Sequence, residues 1–415
     1  MSAVDIAIVG AGAAGIAAAR WLRAKGANIL VLEARDRVGG RAHTDRSTFG
    51  IPLDRGCAWL HSAAENPWAA LAREQGFSIL EQPPDWRRRV GAKVRSPAEL
   101  AAVDHGLEQN FSLASRAATE GRDVPMSELI PDNAFRAQFD AIMTWYIGIE
   151  SDSVSSLDVA RFDDTELNWA VREGLGAVVE RAAQGLEVRF STPVRTIDWR
   201  DRGVSLQTTS GSVDASAVIL TAPTSVLALD GIRFEPPLPT TIQQALHDVP
   251  LGIANKVFFR MEPGALPFEG TTHFTGTDQK AHTCSYQVRP AGHEVLLAYF
   301  GGRFARDLER RGELEQFARE ELGAIFGSEF TRRITASLTV GWSEDPWSRG
   351  SYSAARPGRA HMREVLNQPV GERMFFAGEA CSVEHFGTIH GAWETGVRAA
   401  AQALRVARGQ DQIRI

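Results

Sequence analysis

At 415 residues and 45.2 kDa the chain is long enough for two domains, each burying its own core. A net charge of −6, with 44% hydrophobic and 23% charged residues, is that of a soluble globular protein and argues against a nucleic-acid or anionic-membrane surface. Three widely spaced cysteines, Cys57, Cys284 and Cys381, form no CxxC pair, so neither a disulfide framework nor a structural metal site is expected.

The first strand begins by Val4, which leaves no room for a signal peptide ahead of it, and no run of about 18 apolar residues follows anywhere. A cytoplasmic protein without a membrane anchor is the expectation. Residues 6–9 are apolar and β-branched like a buried parallel strand, and Gly10, Gly12 and Gly15 then lead into an Ala-rich helix over residues 13–25. Gly10 suits the tight turn, Gly12 lets backbone approach a pyrophosphate, and Gly15 lets helix lie against strand; the amides around Ala14 and the helix dipole face the anion. A second strand over residues 29–32 ends at Glu33, placed to accept from a ribose hydroxyl, as an acid about 20 residues past the glycines does. Dinucleotide binding follows from strand, glycines, helix and acid together.

The stretch after Glu33 carries Arg35, Gly39, Gly40 and Arg41, two glycines beside cations that can clamp a second phosphate, as an FAD site needs. With these residues the chain resembles the flavin amine oxidase family. The resemblance implies an α/β fold, with a Rossmann-like FAD domain over 1–82, 173–226 and 341–415. A discontinuous α+β substrate domain occupies 83–172, a helical insert, and 227–340, most of a mixed sheet.

Residues 51–61 read as one polar-to-apolar strand ending in His61, which by itself is most simply a core histidine. The run from Gly56 to Ser62 followed by Glu65, Asn66 and Pro67 is similar to a polyamine oxidase segment, which implies Ala58 and Trp59 beside the flavin and His61 in a substrate tunnel. Asp152, Asp163, Asp164 and Glu166 lie in the insert near aromatics; a solvated face is the expected explanation, with attraction of an ammonium the alternative. Val194 matches the family valine whose backbone meets the adenine.

Lys256 sits in an otherwise apolar strand, where a lysine ordinarily reaches water from an edge. The resemblance of Asn255-Lys256-Val257 assigns it instead to a water held against flavin N5. The segment 341–353 is similar to one in polyamine oxidases and histone lysine demethylases, which implies Trp342 and Trp347 near the isoalloxazine and Tyr352 lining the pocket. Ser351 stands where monoamine oxidases carry the cysteine bonded to flavin, so FAD is expected to bind noncovalently. Gly378 and Glu379 end a strand, and Thr388 and Ile389 open a helix; the resemblance implies that the former lie in the ribityl-phosphate region and the latter at the flavin ring, where the helix dipole would meet charge that develops on reduction.

The implied activity is oxidation of a primary or secondary amine to an imine, with Lys256, His61 and Tyr352 as the protein groups and O2 as acceptor, giving H2O2. Thr388, where monoamine oxidases have a second tyrosine, favours a polyamine; an arylalkyl or heterocyclic monoamine or an L-amino acid is the alternative. A desaturase or porphyrinogen oxidase and a non-catalytic flavoprotein are readings of other classes. A homodimer is common in such folds.

Overall fold

The computed structural model describes residues 2–409. Residues 1 and 410–415, assigned above to the nucleotide domain, lie outside the described residues.

The strand Ser2–Val9 lies parallel between Ile29–Leu32 and Gly211–Leu220, and Val188–Arg189 extends the parallel run beyond Ile29–Leu32. Ile6, Ala7, Ile8 and Val9 are all buried because both sheet faces are covered, which is why the sequence reads there as an unbroken apolar run. Gly211–Leu220 uses its other edge twice. Its first half pairs antiparallel with Val204–Thr208, and its last residues pair parallel with Met374–Phe376. On one face the helices Ala13–Ala24 and Ile389–Ala407 pack together; a Cβ on Gly396 would meet the Ala14 carbonyl oxygen at 2.3 Å, so glycine there permits the close crossing.

A second sheet runs in the order Ile334–Val340, Ala254–Met261, Val295–Gly301, Ser285–Val288, Thr272–Thr275, Arg89–Val90 and Lys93–Val94. Phe259, Phe274, Tyr286 and Phe300 fill its core against the helices Gly302–Arg311 and Leu314–Phe326. The helix Pro97–Thr119 begins at a capping box between Ser96 and Glu99 and packs with Arg136–Tyr146 and Ser156–Arg161 around Phe139 and Met143.

Three expectations change. The stretch 51–61 is not one strand but two short ones, Leu53–Asp54 and Trp59–Leu60. Between them the backbone bends over Arg41, whose carbonyl a Cβ on Gly56 would meet at 1.6 Å. The insert 83–172 is not purely helical: Arg89–Val90 and Lys93–Val94 join the second sheet, and Trp169–Val171 pairs with Trp59–Leu60 and Ile79–Leu80. Finally, Arg233–Glu235 pairs with Val194–Asp198 in the larger sheet, so a change of sheet does not coincide with residue 227. Among the described residues no helix is long and apolar enough to cross a membrane.

Candidate active site

One cavity of about 1180 Å³ runs from the glycine turn after Ser2–Val9 to the helical segments between residues 97 and 162. Every residue assigned from the sequence to catalysis or to cofactor binding lines it except Gly15. That glycine stands behind the turn, where a Cβ would lie 1.9 Å from the Gly10 carbonyl oxygen.

At the nucleotide end the lining is largely backbone. Gly10 takes φ +104° and Gly39 φ +95°, a left-handed region that favours glycine. The helix Ala13–Ala24 has no side-chain cap and no acid in its first turn, so its leading amides, at Ala13 and Ala14 on the cavity wall, have an unmet need for an acceptor. A Cβ on Gly12 would find only the Gly39 carbonyl, at 3.9 Å, so this glycine leaves room on the cavity side. Glu33 is buried and oriented: Oε2 accepts from the Ala11 amide at 2.7 Å and Oε1 from the Arg35 amide at 2.8 Å. Val194, Gly40 and Gly378 complete this end. These groups could hold an extended dinucleotide, the uncapped helix being suited to an anionic part and Glu33 to a sugar hydroxyl.

The two arginines are not free cations. Arg35 forks onto Asp345 at 2.6 and 3.0 Å and reaches Ser348 Oγ at 3.0 Å, so its charge is met by the turn that carries Trp347. Arg41 Nη1 donates to Glu379 at 2.8 Å and to the Ser351 carbonyl at 2.5 Å. Burial alone would raise the Glu379 carboxyl, but Arg41, the Ser353 hydroxyl and Arg363 outweigh it and hold the pKa below the ordinary value.

Lys256 marks the middle of the cavity. It is only 6% exposed, and Nζ donates to the carbonyls of Asp54 at 2.8 Å and Gly56 at 2.5 Å, on the bend between the two short strands. Burial lowers its pKa to about 8, against the opposing pull of Asp54 and Cys57. The edge position expected of a strand lysine is therefore not what is found: Ala254–Met261 has partners on both sides. Ala58, Trp59 and Trp342 line the wall nearby.

Beyond Lys256 the lining changes to side chains. The Tyr352 hydroxyl donates to the Trp145 carbonyl and lies 2.7 Å from the Tyr299 hydroxyl. Tyr299, not anticipated from the sequence, sits directly across the sheet from Lys256. The alternation of that strand held the signal, but only once its register with Lys256 was known. Phe111, Tyr146, Phe162 and Phe386 form an edge-to-face chain along the wall, with centroids 6.2, 5.1 and 4.9 Å apart.

His61 Nδ1 lies 2.6 Å from Asn168 Oδ1 and 3.9 Å from Asp164. Burial lowers the His61 pKa, although Asp164 and Asn168 pull it the other way. The solvated-face expectation fails for Asp164, whose side chain is 10% exposed in the cavity wall, because the insert folds it inward against Tyr146. It holds for Asp152, which pairs with Arg303 at the surface. Thr388 caps the helix Ile389–Ala407, accepting from the Gly391 amide at 3.1 Å, and leaves the Ile389 end of that helix at the cavity.

A twisted sheet with a glycine turn and an open helix start, joined through one cavity to a second sheet with a buried lysine and an aromatic wall, has the architecture of a cofactor-dependent enzyme with a separate substrate half. Comparison with known proteins specifies it further. The profile of the family described as flavin containing amine oxidoreductase matches residues 13–128 and 110–404. Polyamine oxidase 4 of Oryza sativa subsp. japonica is 30% identical over 97% of this chain and 88% of its own length. Polyamine oxidase 2 of Arabidopsis thaliana is 30% identical over 95% and 87%. Human lysine-specific histone demethylase 2 is 26% identical over 96% of this chain but only 53% of its own length. The fold is also that of wild-type putrescine oxidase bound to putrescine, with a TM-score of 0.80 and 23% identity over 97% of this chain and 99% of the other. The chain belongs to the flavin-containing amine oxidoreductase family and is a flavin-dependent amine oxidase.

Proposed function

We propose that the protein is an FAD-dependent oxidase of polyamines, with O2 as electron acceptor and H2O2 as product. The observation that carries the substrate class is Asp164, a nine-tenths buried carboxylate on the cavity wall. Its Oδ1 accepts from the Glu166 amide at 2.9 Å, but among the described residues its one cationic neighbour is His61, which burial disposes to be neutral. A buried carboxylate without a cationic partner is costly. A second ammonium on the substrate would supply that partner, and the similarity to polyamine oxidases supports the same reading.

FAD suits the length of the cavity, the uncapped helix and Glu33. Noncovalent attachment is supported by both candidate side chains: the Ser351 hydroxyl is spent on the Ala254 amide and carbonyl at 2.8 and 3.0 Å, and burial pushes the Cys57 thiol up to about 12. Bound FAD supplies the hydride acceptor. The chain's own work is to strip water from the amine, hold it deprotonated along the wall of Tyr352, Tyr299 and Phe386, and hold or release a proton at Lys256 Nζ. With the distal ammonium at Asp164, the reacting carbon is fixed by two points rather than one.

The chain of four aromatic rings supports a second reading, an arylalkyl monoamine seated against Phe162 and Phe386. Anaerobic addition of spermine, spermidine, putrescine, tryptamine and benzylamine, with the flavin absorbance followed, separates the two. Bleaching by the polyamines is expected. Bleaching by the arylalkylamines alone overturns the polyamine assignment, and bleaching by none overturns the proposed substrate classes.

A further inference from the structure

Outside the cavity lining, Arg363 stands out as a buried cation with every donor engaged. Both it and Asp158 are 0% exposed, and they form a bidentate pair: Nε to Oδ1 at 2.7 Å and Nη2 to Oδ2 at 2.8 Å. The remaining three N–H groups donate to Ser353 Oγ at 2.9 Å, the Ala380 carbonyl at 3.0 Å and the Ser353 carbonyl at 3.3 Å. All five guanidinium donors are thus satisfied. The plane also lies 3.9 Å from the centroid of the Phe386 ring.

Such a pair is not explained by stability, since well-packed apolar side chains in its place commonly do as well or better. What distinguishes it is where its contacts lead. Asp158 belongs to the helix Ser156–Arg161, which delivers Phe162 to the cavity wall, and its Oδ2 also accepts from the Ala355 amide at 2.8 Å. Ser353 follows Tyr352, and its hydroxyl passes the contact on to Glu379 at 2.6 Å, which in turn accepts from the Gly387 amide at 2.8 Å. Phe386 rests its edge on Phe162 with centroids 4.9 Å apart. One buried ion pair therefore sets the separation of three cavity residues that come from segments far apart in the chain.

We infer that Asp158 and Arg363 are a positioning pair for the amine-facing wall, holding Tyr352, Phe162 and Phe386 at the spacing the substrate needs. The inference rests on the reading of that wall as the amine site. A side chain at residue 363 without a planar fork cannot reach Asp158 and Ser353 together.

The test is the double variant Asp158→Leu/Arg363→Met, which removes both charges and strands neither. The variant is expected to fold and load flavin, with a lowered thermal midpoint because the Ala355 amide and the Ala380 carbonyl lose their partners, while anaerobic flavin reduction by spermine slows about 10- to 100-fold. Its crystal structure is expected to show the Tyr352 hydroxyl displaced from Tyr299. A folded, flavin-loaded double variant with the parent rate and with Tyr352 unmoved overturns the inference. Where the double variant does not fold, Arg363→Lys is measured in the same way, and parent-like reduction with unmoved Tyr352 and Phe386 again overturns it. A parent enzyme that no amine reduces overturns the oxidase reading instead; the position of Tyr352 and Phe386 in the variant crystal then decides the positioning role alone.

Discussion

The two ends of the cavity are built from different material. The nucleotide end presents mainly backbone: left-handed glycines, an uncapped helix start and a glutamate held by the amides of Ala11 and Arg35. The amine end presents side chains from segments far apart in the chain, 53 residues in the hydroxyl contact between Tyr299 and Tyr352 and 205 in the pair of Asp158 with Arg363. A backbone site depends on where a Cβ is absent. A side-chain site depends on register and on buried polar contacts, so the two ends should fail in different ways.

The sharpest separation is expected between two glycines three residues apart. In Gly15→Ala the added carbon would meet the Gly10 carbonyl at 1.9 Å, a backbone group that no side-chain rotation can move aside. The expected loss exceeds about 4 kcal/mol, in the range reserved for the most disruptive substitutions, and leaves no folded holoprotein. In Gly12→Ala the protein itself offers room, so the chain should fold with an unchanged thermal midpoint as apoprotein. Flavin affinity should fall by roughly 5- to 150-fold, the equivalent of about 1–3 kcal/mol of overpacking against the dinucleotide. Denaturation followed by circular dichroism, with flavin titration of the apoprotein, checks both; equal behaviour of the two variants would break the distinction.

The same difference explains what was readable in the chain. Gly10, Gly12, Gly15 and Glu33 are legible because strand, turn, helix and acid lie within the 28 residues from Ile6 to Glu33 and each constraint is local. Lys256 was recognisable only by resemblance, since its burial comes from the bend at residues 54–56, which no local pattern foretells. Asp164 looked like a surface acid because nothing in its neighbourhood reveals that the insert turns it inward. Tyr299 was missed outright, being one apolar-strand position among seven until the pairing opposite Lys256 singles it out. Asp158 and Arg363 are separated by 205 positions and carry no motif at all.

Lys256→Met should have the next largest effect, about 100-fold on the rate of flavin reduction, the lower end of what a positioned proton-transfer group contributes. Because burial lowers this ammonium to about pKa 8, its neutral form gains as pH rises through that value. The parent rate should therefore rise with pH around 8, and the variant should lose that inflection while keeping any due to the substrate amine itself. Stopped-flow reduction between pH 6 and 10 measures this. An inflection that survives in the variant assigns it to the substrate.

Asp164→Asn sharpens the comparison within the amine end. Spermine should bind about 10-fold more weakly, about 1.4 kcal/mol, while benzylamine, with no second ammonium, should be unaffected. Equal losses for both amines would instead mean that the carboxylate acts by orienting Tyr146 and His61.

Tyr299→Phe is expected to have the smallest effect. The Tyr352 hydroxyl already donates to the Trp145 carbonyl, so the 2.7 Å contact is one in which Tyr299 donates to Tyr352. Its removal costs that buried hydrogen bond, about 0.5–1.5 kcal/mol, and a long 3.4 Å contact to the Trp145 carbonyl, without orphaning a donor. Burial pushes the Tyr299 phenol up to about 12 and raises Tyr352 well above its ordinary value, so neither ionises in the range where Lys256 titrates. The variant should accordingly keep the inflection near pH 8 and the limiting reduction rate, and show only a few-fold rise in KM. A lost inflection would mean that the hydrogen-bonded tyrosines and the lysine opposite them titrate as one unit, and the amine end would then be governed by a shared proton rather than by shape.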